Sequence, residues 1–238
     1  MGFDADPAAR TRLLAFLDIG TDAEAAARVA RTYPQVIVGL TGVVKGADMV
    51  VLSESPALKD LRRGDIATHV YSRLAPPLDA LAEARQRGVL FDVGHGSAGF
   101  WFRVAVPMIR QGFLPDTISS DIDKDSILLP RATMIDTMSK LLNIGMTLEQ
   151  VIERSTVNPA RAIHRPELGT LSEGSIADIA VIGEQTGKFG FLDSGHARLI
   201  GDKKLACVMT VRNGQVVWDS AGLSLPDASR AGPYTNFK

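Results

Sequence analysis

Short apolar runs alternate with helical patterns from the start of the chain to about residue 155. This alternation predicts a parallel sheet built from β/α units. Six runs are short, rich in β-branched residues and bounded by turn residues, as buried strands are. These predicted strands are "LLAFLDIG", "QVIVGL", "DMVVLS", "DIATHVYS", "VLFDVGHG" and "DTISSDID". One link differs, because "TGVVKGADM" is too short for an ordinary crossover helix.

Several helical segments carry start and stop signals. "LAPPLDALAEARQRG" ends in a glycine suited to a helix stop, and "PRATMIDTMSKLLNIG" begins with Pro130 and ends in Gly145. In "AGFWFRVAVPMIRQGFLP", Pro107 predicts a kink or a helix boundary. After residue 165 the pattern changes to short strands, and Arg212-Asn213-Gly214 suits a tight hairpin turn. The C-terminal third therefore predicts a small antiparallel β element.

Composition and charge exclude several classes of protein. The 238 residues are 45% hydrophobic and 22% charged, which is typical of globular chains. A net charge of −1 gives no electrostatic case for nucleic acid or an anionic membrane as partner. No apolar run approaches the roughly 18 residues of a membrane helix, and the opening "MGFDADPAARTR" lacks the apolar core of a signal peptide. The single Cys207, expected to be small and buried, fits a reducing compartment, so we expect a cytoplasmic protein.

Polar residues follow the predicted strands, at the ends where ligands meet parallel α/β architectures. His69 in "ATHVYS" has two interpretations, a structural histidine or a metal ligand, and neither is excluded by its context. Asp121 in "ISSDID" is more informative, because a carboxylate there can bind a metal and take a proton from its water. These two residues are a weak metal signal by themselves, since zinc ordinarily has three protein ligands or more.

The C-terminal third carries a long and specific pattern. "MSKLLNIGMTLEQVIERSTVNPARAIHRPELGTLSEGSIADIAVI" resembles the end of amidohydrolase-superfamily metal hydrolases, in which "T-x-NPA" precedes "LGTL-x-G-x-x-AD". In it, Asn158 is expected to cap a helix with Pro159 at its first position, and Asp178 to anchor a strand start. With "RGDIATHVYS", "GVLFDVGHG" and "FLPDTISSDI", the chain is similar to dihydroorotase-like enzymes or amino-acid-derivative deacetylases over nearly all of residues 13–219.

The resemblance implies a (β/α)8 TIM-type barrel with a small β-sandwich, and hydrolysis of C–N bonds in small molecules such as N-acyl amino-acid derivatives or dihydroorotate-like compounds. It also implies one or two divalent metals, usually zinc. His69 matches one of the family's metal-binding histidines. Asp121 matches the late-strand aspartate, a metal ligand that also shuttles a proton in catalysis. His95 matches a glycine-flanked histidine that lines the substrate pocket.

The chain also departs from the family pattern. It has no His-x-His pair, Thr41 replaces the expected lysine, and Val51 replaces an expected histidine. It begins near what resembles the third barrel strand, so we predict an incomplete or remodelled barrel over 1–165, a β-sandwich element over 166–222 and a tail over 223–238. Unpaired strand edges favour association between copies. Two alternatives stay open: a metal-dependent hydrolase, or a catalytically inactive relative or fragment that acts as a binding or assembly subunit.

Overall fold

The central feature of the fold is a parallel sheet. The computed structural model describes residues 63–122, 124 and 126–233, together with 58–59, 61 and the backbone of 37–38. Within these residues three short strands pair in the order β1, β2, β3, with Ile66 opposite both Ile37 and Leu90. Their bounds are Ile37–Val38, Ile66–Ala67 and Leu90–Phe91. Each lies inside a predicted strand, which confirms the parallel β/α arrangement for this part of the chain.

The predicted strand "DTISSDID" contains only an isolated parallel bridge between Thr117 and Asp92, so that prediction was wrong in extent. The segment still continues the sheet, because the amides of Val93 and Gly96 donate to the carbonyls of Thr117 and Ser120. The predicted strands "LLAFLDIG" and "DMVVLS" lie outside the described residues. So do the short link "TGVVKGADM", Thr41 and Val51. Asp121 therefore leaves the sheet beside the end of β3.

Two helices follow β2 and β3. Helix α1, Leu78–Arg87, buries Leu81 and Ala84 and ends at Gly88, whose φ of +92° is the left-handed cap expected of glycine. Helix α2, Phe102–Arg110, runs through Pro107 without ending there. Of the two alternatives predicted for Pro107, the helix boundary was wrong, and the kink stays a prediction. The cores of both helices pack into one apolar cluster with the buried Phe91 and Phe100.

Three further helices occupy the next segment: α3 (Met134–Asn143), α4 (Leu148–Ser155) and α5 (Val157–Ala162). Pro130 does not begin α3. It lies in a separate 3-10 turn, Pro130–Ala132, and Thr133 caps α3 by accepting a hydrogen bond from the Asp136 amide. Asn158 likewise does not cap α5, because it lies within that helix and donates from Nδ2 to the Asp116 carbonyl oxygen at 3.1 Å. Another 3-10 turn, Pro166–Leu168, leads to the C-terminal sheet.

The C-terminal sheet is antiparallel, as the sequence predicts. Its strands β4 (Ile179–Leu192), β5 (Arg198–Arg212) and β6 (Gln215–Asp219) pair in chain order. The turn between β5 and β6 has positive φ at Asn213 and Gly214, which suits the predicted hairpin. The predicted anchor before β4 is also present, since Asp178 Oδ1 accepts from the Asn213 amide at 2.7 Å. Cys207 is only half-buried, contrary to the prediction of a buried residue.

Two side chains join the antiparallel sheet to the helices. Asn143, at the end of α3, accepts from the backbone amides of Asp202 and Lys203 and donates to the Lys203 carbonyl. Asp193, in the turn after β4, accepts from the Phe102 amide at 2.9 Å and so satisfies one of the free amides at the start of α2. None of the helices in the described ranges has the length and apolar character that crossing a membrane requires.

Candidate functional site

Asp92, at the end of β3, joins three neighbouring segments of the sheet. Its carboxylate accepts hydrogen bonds from the hydroxyls of Thr68, Thr117 and Ser119 at 2.7, 2.7 and 2.6 Å. The side chain is 7% exposed, and a buried carboxylate requires such partners. Asp92 therefore holds together the ends of β2, β3 and the Thr117 segment, the region in which the sequence predicts a site.

His69 follows β2 with its ring in a defined orientation. Nδ1 lies 2.7 Å from the carbonyl oxygen of Gly94. A carbonyl only accepts, so Nδ1 carries a proton, and in the neutral ring the lone pair is on Nε2. Metal-binding histidines commonly donate their other ring N–H to such a carbonyl. A Cβ at Gly94 would lie 2.8 Å from Nδ1, and one at Gly99 2.6 Å away, so both glycines leave room for the ring.

Asp121 lies directly opposite this lone pair. Its Oδ2 is 3.9 Å from His69 Nε2, and its side chain is 42% exposed, whereas His69 is 9% exposed. A Cβ at Gly96 would lie 2.4 Å from the same Oδ2, and Gly96 has a φ of +45°. Only glycine satisfies both conditions at this position. The structure thus brings His69 and Asp121 together against the two glycines that flank His95.

His95 lies beneath this pair and is fully buried. Its ring stacks on Phe100 at 5.0 Å between centroids. Nδ1 lies 2.9 Å from the Gly96 carbonyl oxygen, and Nε2 lies 2.7 Å from Nζ of Lys140. Burial, and then the nearby charge of Lys140, lower the pKa of His95 to about 4, so the ring is neutral near pH 7. Its predicted contact with substrate stays a prediction, since both ring nitrogens face protein groups.

Lys140, on α3, is the residue of this region that sequence reasoning missed. Its side chain is fully buried, with Nζ 3.0 Å from Asp136 Oδ2 and hydrogen bonded to the Arg131 carbonyl. Burial lowers the pKa of Lys140, while the Asp136 carboxylate opposes that effect. One sequence feature could have indicated it: Lys140 follows Asp136 by four residues on the helix face that also carries the buried Thr137 and Leu141.

The donor atoms of His69 and Asp121 fit a divalent cation in part. In a tetrahedral zinc site, ligand atoms at about 2.0–2.2 Å from the metal are about 3.4 Å apart, so the two atoms, now 3.9 Å apart, would move together by about 0.5 Å to bind one ion. In the described ranges, no group of three or more His, Cys, Asp or Glu side chains is close enough to hold a metal ion. Thr41 and Val51, at two further family ligand positions, lie outside those ranges.

The profile of the amidohydrolase family matches residues 47–217, which is well over half of the chain. This chain belongs to the amidohydrolase family. The matched region contains β2, β3 and all but the last two residues of the antiparallel sheet, together with His69, His95 and Asp121. The resemblance stated from the sequence is therefore confirmed at the level of the family.

Two curated relatives and two solved structures are similar to this amidohydrolase chain. A deacetylase of Brucella anthropi is 38% identical over 152 residues, covering 58% of this chain and 38% of the relative. A deacetylase of Agrobacterium fabrum is 37% identical, covering 58% of this chain and 37% of its own. The chain thus matches well under half the length of either relative.

The solved structures support the fold. An adenine deaminase has a TM-score of 0.71 at 24% identity, with 83% of this chain and 55% of that chain covered. A dihydroorotase has a TM-score of 0.69 at 27% identity, covering 82% of this chain and 51% of that one. The described part of this chain is therefore folded like the corresponding part of amidohydrolase barrels. Closure of a barrel is not seen within the described residues.

Proposed function

We propose that this chain acts as a metal-dependent amidohydrolase on the C–N bond of a small molecule, such as an N-acyl amino-acid derivative or a dihydroorotate-like cyclic amide. The observation that carries the proposal is the pairing of His69 Nε2 with Asp121 Oδ2 at 3.9 Å, at the ends of parallel strands. The names of the two bacterial deacetylases support the acyl-derivative class. Because this chain covers only 38% and 37% of these two relatives, the activity is a proposal that experiment must test.

In this proposal His69 and Asp121 hold part of a divalent metal site, with zinc expected. A bound zinc ion supplies Lewis-acid activation of water. The Gly94 carbonyl keeps the His69 lone pair directed at Asp121. Asp121, which is 42% exposed, is the group that accepts a proton from the attacking water and returns it to the leaving nitrogen. Gly96 keeps the space in which this carboxylate lies.

The test combines metal analysis with hydrolysis. The purified full chain is loaded with Zn²⁺, Mn²⁺ or Co²⁺ and assayed against N-acetyl and N-formyl amino acids of both configurations and against dihydroorotate. We expect hydrolysis, measured as amine release from the N-acyl amino acids or as ring opening of dihydroorotate. It should disappear in Asp121→Asn and remain in Asp178→Asn, a matched exchange at an exposed aspartate before β4. Equal activity in wild type and Asp121→Asn would contradict the role of Asp121.

A second candidate is a catalytically inactive relative that acts as a binding or assembly subunit. Thr41 and Val51 favour it, because they replace two expected metal ligands. If this candidate is right, the purified protein should contain less than about 0.1 equivalent of metal per chain. Sedimentation analysis should also show the protein associated with a second copy or with another chain. A monomer that binds metal and hydrolyses an N-acyl amino acid would exclude it.

Other features stay predictions of the sequence. They are the incomplete or remodelled barrel over 1–165, the β-sandwich element over 166–222, the tail over 223–238 and the cytoplasmic location. The described antiparallel sheet, from Ile179 to Asp219, falls within the second of these ranges. Limited proteolysis of the full chain tests the division at residue 165, because a domain boundary is expected to be cut first.

A further inference from the structure

The described structure contains a buried polar connection from α3 to the site. Lys140 faces three acceptors: the ring nitrogen Nε2 of His95, the carboxylate of Asp136 and the carbonyl of Arg131. The contacts with His95 and Arg131 are hydrogen bonds, and Asp136 Oδ2 lies 3.0 Å from Nζ as an ion pair. A lysine is seldom fully buried unless it is paired, so these three contacts are what allow it to lie here.

The contacts of His95 show what this lysine holds. The Gly96 carbonyl beside Nδ1 only accepts, so Nδ1 carries the proton and Nε2 accepts from Lys140. The ring is also fixed by stacking on Phe100. Every hydrogen-bonding position of the His95 ring is therefore used, and the ring is held from the side of α3.

The two glycines beside His95 contact the two residues of the candidate metal pair. The Gly94 carbonyl accepts from His69 Nδ1, and the backbone of Gly96 lies against the carboxylate of Asp121. A movement of His95 would shift both glycines, because they are its direct neighbours in the chain. Through them it would change the orientation of His69 and the position of Asp121 together.

We propose that Lys140 and His95 are positioning residues for the His69–Asp121 pair. Lys140 holds the His95 ring, and His95 sets the backbone of Gly94 and Gly96 against the two site residues. This inference rests on the proposed function in one respect, because the metal-binding role of His69 and Asp121 is taken from it. The geometry that it asserts can be measured without any activity.

The first measurement is the tautomeric state of the histidine rings, read from ¹⁵N chemical shifts of the full chain labelled at its four histidines. In wild type we expect His69 and His95 to carry the proton on Nδ1. In Lys140→Met and His95→Leu we expect His69 to lose this single state and show averaged nitrogen shifts. His95→Gln keeps an acceptor for Lys140 and should return the His69 signal towards wild type.

Ser139→Ala is the matched control. Ser139 is as deeply buried as Lys140 and adjacent to it on α3, but its hydroxyl accepts from the Leu205 amide of β5. We expect this variant to unfold at lower urea concentration and to keep the wild-type His69 signal. Lys140→Met should change the His69 signal. Its urea midpoint should fall as well, because the buried Asp136 Oδ2 loses its partner, so the His69 signal is the readout that separates the two variants.

The second measurement is zinc affinity by chelator competition. Loss of partners outside the ligand shell typically weakens metal binding 10-fold to 100-fold, so we expect about a 10-fold loss in Lys140→Met and His95→Leu and a smaller one in His95→Gln.

If wild type binds no metal but the histidine states are as expected, the proposed function fails and the positioning role stands. An unchanged His69 signal with unchanged affinity in folded Lys140→Met overturns the positioning role. If Lys140→Met does not fold, the ¹⁵N shifts of wild-type His95 provide the test. A proton on Nε2 of His95 would overturn the positioning role, because that nitrogen could not then accept from Lys140.

Discussion

His69 and Asp121 face each other across 3.9 Å, and both have backbone φ angles in the left-handed region, +61° and +47°. Few non-glycine residues adopt this conformation, although histidine and aspartate do so more often than most. Such residues cost free energy and are concentrated at functional sites. The backbone on both sides of the pair is thus turned so that the two side chains meet beyond the strand ends.

The first prediction concerns Gly96. In Gly96→Ala the new Cβ would lie 2.4 Å from Asp121 Oδ2, so the carboxylate must move. We expect zinc affinity to fall at least about 10-fold, with a stability loss of about 1–2 kcal/mol from the left-handed backbone, measured by chelator competition and urea unfolding.

Gly112→Ala is the control for Gly96, because Gly112 has a φ of +83° and an added Cβ would meet nothing within 4 Å. It should lose a similar amount of stability and keep its zinc affinity. Equal zinc affinities in the two variants would show that Gly96 does not position Asp121.

The second prediction concerns Asp92. Its carboxylate receives three hydroxyl donors, and hydrogen bonds to charged groups each contribute about 1.5–3 kcal/mol. We expect Asp92→Ala to lower the free energy of unfolding by about 3 kcal/mol or more. Thr117→Val removes one of these donors and should cost about half as much. Urea unfolding measures both losses of unfolding free energy. A smaller loss in Asp92→Ala than in Thr117→Val would contradict the central role of Asp92.

The sequence predicted the part of the site that depends on local pattern. Apolar runs with polar residues at their ends placed His69 and Asp121 near one edge of a parallel sheet, and in the structure the two side chains lie 3.9 Å apart. The role of Asp92 as a shared acceptor could not be read from its position. It depends on hydroxyls that come from two other segments of the chain.

Contacts between distant segments explain what the sequence did not predict. Lys140 and His95 are 45 residues apart, and no local periodicity pairs a helix lysine with a strand histidine. Asn158 has the ordinary pattern of a helix cap, but the carbonyl of Asp116 provides its partner inside the helix instead. Tertiary contacts therefore override local signals at these positions.

The third prediction concerns Asp193, which joins the antiparallel sheet to α2. It is 1% exposed and accepts from the backbone amides of Phe102, Gly195 and Ala197. We expect Asp193→Ala to lower the free energy of unfolding by about 2 kcal/mol or more, because the buried Phe102 amide loses its acceptor.

Asp219→Ala is the control for Asp193. Asp219 also accepts from three backbone amides, but it does so in an exposed turn where water can replace it. Its loss of stability in urea unfolding should be smaller. A loss as large as that of Asp193→Ala would mean that burial is not what makes Asp193 important.

The fourth prediction is the pH dependence of stability due to His95. Burial and Lys140 lower its pKa from 6.5 to about 4, so the unfolded chain binds a proton more readily than the folded chain between these values. The stabilisation by neutral His95 is therefore complete above about pH 6.5 and is lost as the pH falls towards about 4. At 1.36 kcal/mol for each pKa unit, the full effect is about 3 kcal/mol.

The comparison of wild type with His95→Gln isolates this effect. Burial also raises the pKa of Asp136, which acts with the opposite sign at acidic pH, but Asp136 and Lys140 are present in both proteins. We expect the difference in unfolding free energy between the two proteins to shrink steadily from pH 6.5 to pH 4. A difference that stays constant over this range would mean that the folded protein does not keep His95 neutral, and that Lys140 does not donate to it.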